Sequence, residues 1–175
     1  MNKKENIPYI LAQYLMLWLI GGFVYVLIEL LYRGRSHWTM AIVGGLCFII
    51  IGSINEGPLP SLLGVRSFEG QILIGAIATT IVEFISGVVI NIILKWNVWD
   101  YSHTPFNILG QICLPFTLIW MVIAAIAIIV DDFLRHILFM KPFEKYYFIL
   151  LGKEMSVFEL WERFVCKDRH KDQTK

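Results

Sequence analysis

Apolar residues run almost unbroken through long stretches of this chain, without the strict alternation that marks a half-buried strand. A membrane-spanning helix needs roughly 20 mostly apolar residues. Four stretches come close to that length, near 9–32, 38–55, 71–94 and 112–130, and the second, the shortest, could begin at Ser36. The pattern predicts an all-α fold: a polytopic membrane helix bundle with about four transmembrane helices, built as one unit from residues 1–140. Residues 141–166 then mix basic, aromatic and apolar positions, which predicts an interfacial and amphipathic cytoplasmic segment, and 167–175 read as a disordered tail.

Polar positions inside the spans fall on helical faces. In the third, Ala76, Thr79, Thr80, Glu83, Ser86, Gly87 and Asn91 recur at steps of three and four. Small and hydroxylated residues let helices approach closely in lipid, and a carboxylate in hydrocarbon is costly and normally turned inward. The stripe is therefore expected to face other helices, with Glu83 near mid-membrane. No basic residue lies within helical reach of Glu83, so its partner comes from another segment or the carboxyl keeps its proton.

The first span carries Tyr14, Trp18, Gly22, Tyr25, Glu29 and Arg33 on one line. Glu29 and Arg33 stand in the favourable order for an i,i+4 ion pair, which reads either as an interfacial salt bridge or as part of a polar interior. The second span offers Ala41, Gly44, Gly45, Gly52 and Asn55 for close packing. The fourth presents Cys113, Thr117, Trp120, Ala124, Ala127 and Asp131, with Pro115 in a first turn that tolerates it. Asp131 and Asp132 read as the solvated exit of that helix, with Arg135 pairing to Asp131 one turn on.

The connectors differ in kind. Residues 55–64 hold Gly57, Pro58, Pro60 and Gly64, which forbid a continuous helix. Residues 96–111 are too aromatic for a solvated connector. Trp96, Trp99, Tyr101 and Phe106 suit a membrane-interface belt, whereas Asp100, Ser102, His103 and Asn107 suit a partly dehydrated polar site. His103 has no second histidine at helical spacing and is no zinc signature. No glycine-rich phosphate loop, nucleophile elbow or kinase set occurs, so the chain is expected to be no enzyme, to hold no cofactor or metal, and to leave any ATP hydrolysis to another polypeptide. Ser156 and Glu159 have capping-box spacing. Val157, Leu160, Trp161 and Phe164 then share one apolar face, fit to lie on a membrane or dock into a partner.

Composition agrees, with 57% hydrophobic residues excluding an ordinary soluble domain. A net charge of +1 gives no reason to expect a nucleic-acid partner. Nine of the 15 Lys and Arg residues lie between Arg135 and Lys175, and Lys3 and Lys4 stand at the start. Since cytoplasmic segments are rich in Lys and Arg, both termini are expected inside the cell membrane, and the 96–111 loop outside. The first apolar stretch is too long for a signal peptide and no small-residue cleavage site follows it. Cys47, Cys113 and Cys166 are odd in number and lack metal-ligand spacing, so they are expected as small core residues.

The string Trp99-Asp100-Tyr101-Ser102, then Pro105-Phe106-Asn107, Gly110 and Ile112-Cys113-Leu114, resembles the bacterial integral membrane family called Putative ABC-transporter type IV. Glu29, Tyr32 and Arg33 resemble that family's early glutamate, tyrosine and basic residue, and the likeness runs from about Gly21 to Trp120. Residues 36–45 lack the family's Gly-Pro-rich stretch, and the resemblance does not extend to the C-terminal helix. The resemblance implies the membrane-embedded subunit of a transporter, an ABC-type permease without its own ATPase. Glu83, Thr79, Thr80, Asn91, Glu29 and Arg33 would then form the polar interior. Trp99, Asp100, Tyr101, Ser102, Pro105, Asn107 and Gly110 would form the outer loop that gates it. Val157, Leu160, Trp161 and Phe164 would dock a separate ATP-binding subunit, and so few spans would require a homo-oligomer in the bilayer. Two other readings stand beside it: a structural or regulatory membrane protein that oligomerises and recruits cytoplasmic partners, and an enzyme acting on lipid with Glu29 or Asp100 as base and Arg33 and Arg35 holding a phosphate.

Overall fold

The computed structural model describes residues 7–56, 65, 67–142, 145–156 and 159. Four helices dominate: α1 (Ile7–Arg33), α2 (Trp38–Gly52), α3 (Phe68–Gly87) and α4 (Leu114–Phe139). α3 continues directly into a π-helical turn at Val88–Ile93. Among the described residues α1, α3 with its continuation, and α4 are each long and apolar enough to cross a membrane. With 15 residues α2 rises only about 22 Å, short of a hydrocarbon core of about 30 Å. Two small antiparallel pairs accompany the helices: β1 (Asn107–Ile108) with β2 (Ile112–Cys113), and β3 (Tyr146–Phe148) with β4 (Lys153–Met155).

The helix ends follow from local chemistry. Ser67 caps α3 by accepting the Gly70 N–H at 3.2 Å, and Glu69 places negative charge in the first turn, where the helix dipole favours it. His37 caps α2 through Nδ1, which accepts from Thr39 N–H. Pro115 sits in the first turn of α4 as expected, and α4 stops where Met140 turns left-handed.

α1 and α2 form an antiparallel hairpin whose contact is made of glycine. A Cβ on Gly22 would strike the Ala41 carbonyl, and one on Gly44 or Gly45 would strike Tyr25 or Trp18. Packing of this closeness replaces a hydrophobic drive that lipid does not provide. α3 and α4 are likewise antiparallel, with Gly75 against Ala124 and Glu83 against Trp120. α2 packs on both, whereas α1 touches α4 only sparingly, leaving a seam between those two helices. The polar stripe of α3 faces inward as expected: Ala76, Thr79, Glu83, Gly87 and Asn91 are buried. Leu, Ile, Val and Phe cover the outside, among them Phe23, Ile81 and Val122. Cys47 and Cys113 are buried free thiols.

Three features differ from expectation. α4 does not stop near residue 130 but reaches Phe139, and its acidic pair is no solvated exit. Asp131 is 0% exposed, Arg135 1%, and Asp132 is buried beside them. The cause lies on α2, where Gly52 has no Cβ and so lets that helix close over the Asp131 carboxylate, while Arg135 supplies the counter-charge one turn away. Residues 145–155, expected along the membrane surface, include the β3–β4 hairpin. Its Tyr146 is buried among Ile51, Ala124, Ala127 and Ile128. At the C-terminal side the capping box forms, with Ser156 N–H donating to Glu159 at 2.9 Å and Glu159 N–H donating to Ser156 Oγ at 3.1 Å. Val157, Leu160, Trp161, Phe164, Cys166 and the 57–64 connector lie outside the described residues.

Candidate functional site

Glu83 projects from the inward face of α3 and is held by two segments remote from it in sequence. Trp120 Nε1–H of α4 donates to Oε2 at 2.8 Å, and Tyr101 O–H of the α3–α4 loop donates to Oε1 at 3.1 Å. An indole N–H only donates, so Oε2 is an acceptor in either protonation state of the carboxyl. Among the described residues no Lys or Arg forms an ion pair with Glu83. Tyr25 stacks on Trp120 with ring centroids 6.0 Å apart, and Tyr101 stacks on Phe116 at 4.6 Å. These rings and Glu83 line a cavity of about 240 Å³ in the α1–α4 seam, which also reaches Glu29 and Arg33.

Glu29 and Arg33 form the expected ion pair at 2.6 Å, and it does more than decorate one helix. Ser36 O–H donates to the other Glu29 oxygen at 2.6 Å, and Arg33 Nη1–H reaches the Val98 carbonyl at 3.1 Å. The pair thus ties the end of α1 to the loop that delivers Tyr101. Burial first, then the Glu83 charge, push the Tyr101 hydroxyl well above its usual range, so it stays protonated and able to donate.

Most of the aromatic loop holds itself in shape. Trp99 is buried and its Nε1–H donates to the Gln111 carbonyl at 3.0 Å. The Ser102 N–H, and then its hydroxyl, donate to Asp100 and keep that carboxyl below the usual carboxylate range. Asn107 donates to the Ser102 and Thr104 carbonyls and accepts from Gly110 N–H. Gly110 has φ +67°, and a Cβ there would crowd Asp100 Oδ1 at 2.8 Å. Pro105 is exposed in the turn. Of the seven loop residues singled out from sequence, only Tyr101 reaches the chamber.

The remaining interior positions separate as well. Thr79 is fully buried, whereas Thr80 is half-buried and gives its hydroxyl to the Ala76 carbonyl of its own helix. Asn91, in the π-helical turn, donates to Gln111 Oε1 at 2.9 Å and accepts from Val98 N–H at 2.7 Å, so it is a strut for the loop. Sequence reasoning missed Tyr25 and Trp120 as chamber walls, although both fall on the inward lines of α1 and α4. It also missed Gln111, which no periodic signal marks.

A second buried polar cluster occupies the opposite end of the bundle. Arg135 pairs with Asp131 and stands 3.6 Å from Glu56, while Lys141 bonds Glu56 at 3.2 Å. Asn55 donates to both oxygens of Asp132 at 3.0 Å. The cluster joins α4 and the segment after it to the root of the 57–64 connector.

A family profile described as Putative ABC-transporter type IV matches residues 38–158. Searches of curated proteins and of solved structures found no match.

Proposed function

We propose that this chain, which belongs to the Putative ABC-transporter type IV family, is the membrane-embedded subunit of a transporter, with no ATPase of its own. One observation carries the reading: a mid-bundle carboxylate faces a cavity in a seam that the helices leave open. A carboxylate kept in the membrane interior and bound only by neutral donors is the kind of group that marks a substrate or ion pathway. Glu83 is the interior polar group, Tyr101 carries the loop's state to it, and Glu29–Arg33 set the loop's position.

In this reading α2 crosses the membrane with its neighbours, both termini lie in the cytoplasm, and the aromatic loop lies outside. The Asp131–Arg135–Glu56–Lys141 cluster then sits at the cytoplasmic end. There it would couple the 57–64 connector and the C-terminal segment, where an ATP-binding subunit would dock, to α4. No catalytic residue is assigned. Purification of the tagged native protein in gentle detergent, with mass spectrometry of what accompanies it, tests the proposal. A stoichiometric ATP-binding subunit is expected, and a homo-oligomer alone would overturn the ATP-driven reading. The second reading, a structural or regulatory membrane protein, draws on the fact that both Glu83 oxygens are already hydrogen-bonded across the bundle. Unchanged partner recruitment after deletion of residues 156–175 would count against it.

A further inference from the structure

The Glu83 cavity does not stand alone in its seam. A second hollow of about 150 Å³ continues from it, walled by Val24, Phe48, Ala127 and Val130. The two share Tyr25, Ile28, Trp120 and Ile123 as common walls, so they adjoin along one groove-like seam, polar at the Glu83 end and apolar along the rest. Ile126 and Val130 of α4, both exposed, edge the lower part, so the groove borders the surface that faces lipid.

We infer that this groove binds an amphiphilic organic cation, with its positive head among the aromatic rings beside Glu83 and its apolar body along the α1–α4 seam. The charges point that way. Glu29 and Arg33 pair with each other within the cavity wall, whereas Glu83 is held by two uncharged donors and pairs with no Lys or Arg among the described residues, so a bound cation would supply the counter-charge for its ionised form. Each carboxylate oxygen retains a free lone-pair direction after one hydrogen bond. Tyr25, Tyr101 and Trp120 line the cavity, and aromatic rings favour a cation because the ring quadrupole is negative above and below its plane. A small hydrated cation would lose its water against the apolar wall, while an alkylated ammonium or phosphonium carries little hydration to lose. An anionic amphiphile would meet Glu83 directly. The same chemistry exists in the choline headgroup of a lipid and in a free lipophilic cation. The inference deepens the transporter reading by naming the class of molecule its interior takes, but binding itself needs no ATP-binding subunit.

The test uses the full-length chain in phosphatidylglycerol nanodiscs, with tetraphenylphosphonium as probe and tetraphenylborate as its anionic counterpart of the same shape. Saturable binding of the phosphonium and not the borate is expected. Glu83→Gln and Tyr25→Leu should each weaken it about tenfold or more, and Val122→Leu on the outer face should leave it unchanged. Exchange into phosphatidylcholine identifies the source: loss of probe binding by competition indicates the lipid headgroup, and retention indicates a free cation. The inference is overturned if the native chain shows no saturable phosphonium binding, if the borate binds as well, or if folded Glu83→Gln and Tyr25→Leu chains bind like the native one. The comparison of phosphonium with borate needs no variant, so a variant that fails to fold does not blunt the test. Binding without a co-purifying ATPase would remove the ATP-driven reading alone, and a co-purifying ATPase without binding would remove this inference alone.

Discussion

Asp131 and Arg135 carry their charges in a site with almost no solvent, and that makes them the most consequential pair in the bundle. Replacing one partner of a buried ion pair strands the other, a loss of about 3–5 kcal/mol. Arg135→Met is therefore expected to lower the melting temperature sharply in detergent. Adding Asp131→Asn in the same chain should recover part of the loss, because the orphaned charge is gone; a double variant that melts no higher than the single would refute the pairing. The spacing of this pair was legible in the sequence, but its burial was not. A reading by charge places two adjacent aspartates in water, and the reason they are dry is a missing Cβ on another helix, at Gly52. Glu83 illustrates the opposite case. Its isolation on a small, polar stripe called for a partner from another segment or a retained proton, and the structure supplies two hydrogen-bond donors from elsewhere, Trp120 and Tyr101.

Helices were legible because 3.6-residue periodicity is written into each one separately. The inward lines of α3 and α4 face protein as their spacing requires, whereas on α1 the buried positions are Gln13, Leu17, Gly21 and Gly22, and the line from Tyr14 to Arg33 is, Gly22 apart, half-buried beside them. What happens where one element meets another was harder to see. The π-helical turn at Val88–Ile93 is held by Asn91, whose side chain takes over bonds to Val98 and Gln111 that no helix could make. Asn91→Ala leaves the Val98 N–H and the Gln111 side-chain carbonyl without these partners, at about 1–3 kcal/mol for such a group. Hydrogen exchange at the Val98 amide should accelerate, with slower exchange retained in the centres of α3 and α4. Equal protection of Val98 in the variant and native chains would show that Asn91 is not the strut. The β3–β4 hairpin is another junction effect, since Tyr146 leaves the membrane-surface role its neighbours suggest and enters the core beside Phe68.

For the whole molecule the antiparallel order of α1, α2, α3 and α4 places the Glu29–Arg33 pair, the α2 start and the aromatic loop at one end, and the Asp131–Arg135 cluster at the other. Orientation in the membrane is then open to direct measurement. Single cysteines at Arg35, Ser102 and Lys153, in a chain with Cys47, Cys113 and Cys166 replaced, can be probed with a reagent that does not cross membranes. The first two are expected to label on intact cells and Lys153→Cys only after permeabilisation. The reverse pattern would overturn the proposed topology and move the basic cluster outside.

By itself the sequence determined the class of this protein: apolar runs of spanning length, one polar face per helix, a capping box, a paired Glu29 and Arg33, and a loop string that carries its family. All of these depend on residues close together along the chain. Only the tertiary structure decided that Asp131 and Arg135 are buried, that most of the loop's polar groups serve the loop, and that α1 and α4 leave a groove lined by Glu83 and aromatic rings. Those properties arise where helices distant in sequence meet, and they turn on the distance of closest approach between backbones. A glycine sets that distance through what it lacks, and its effect appears only when the partner helix is in place.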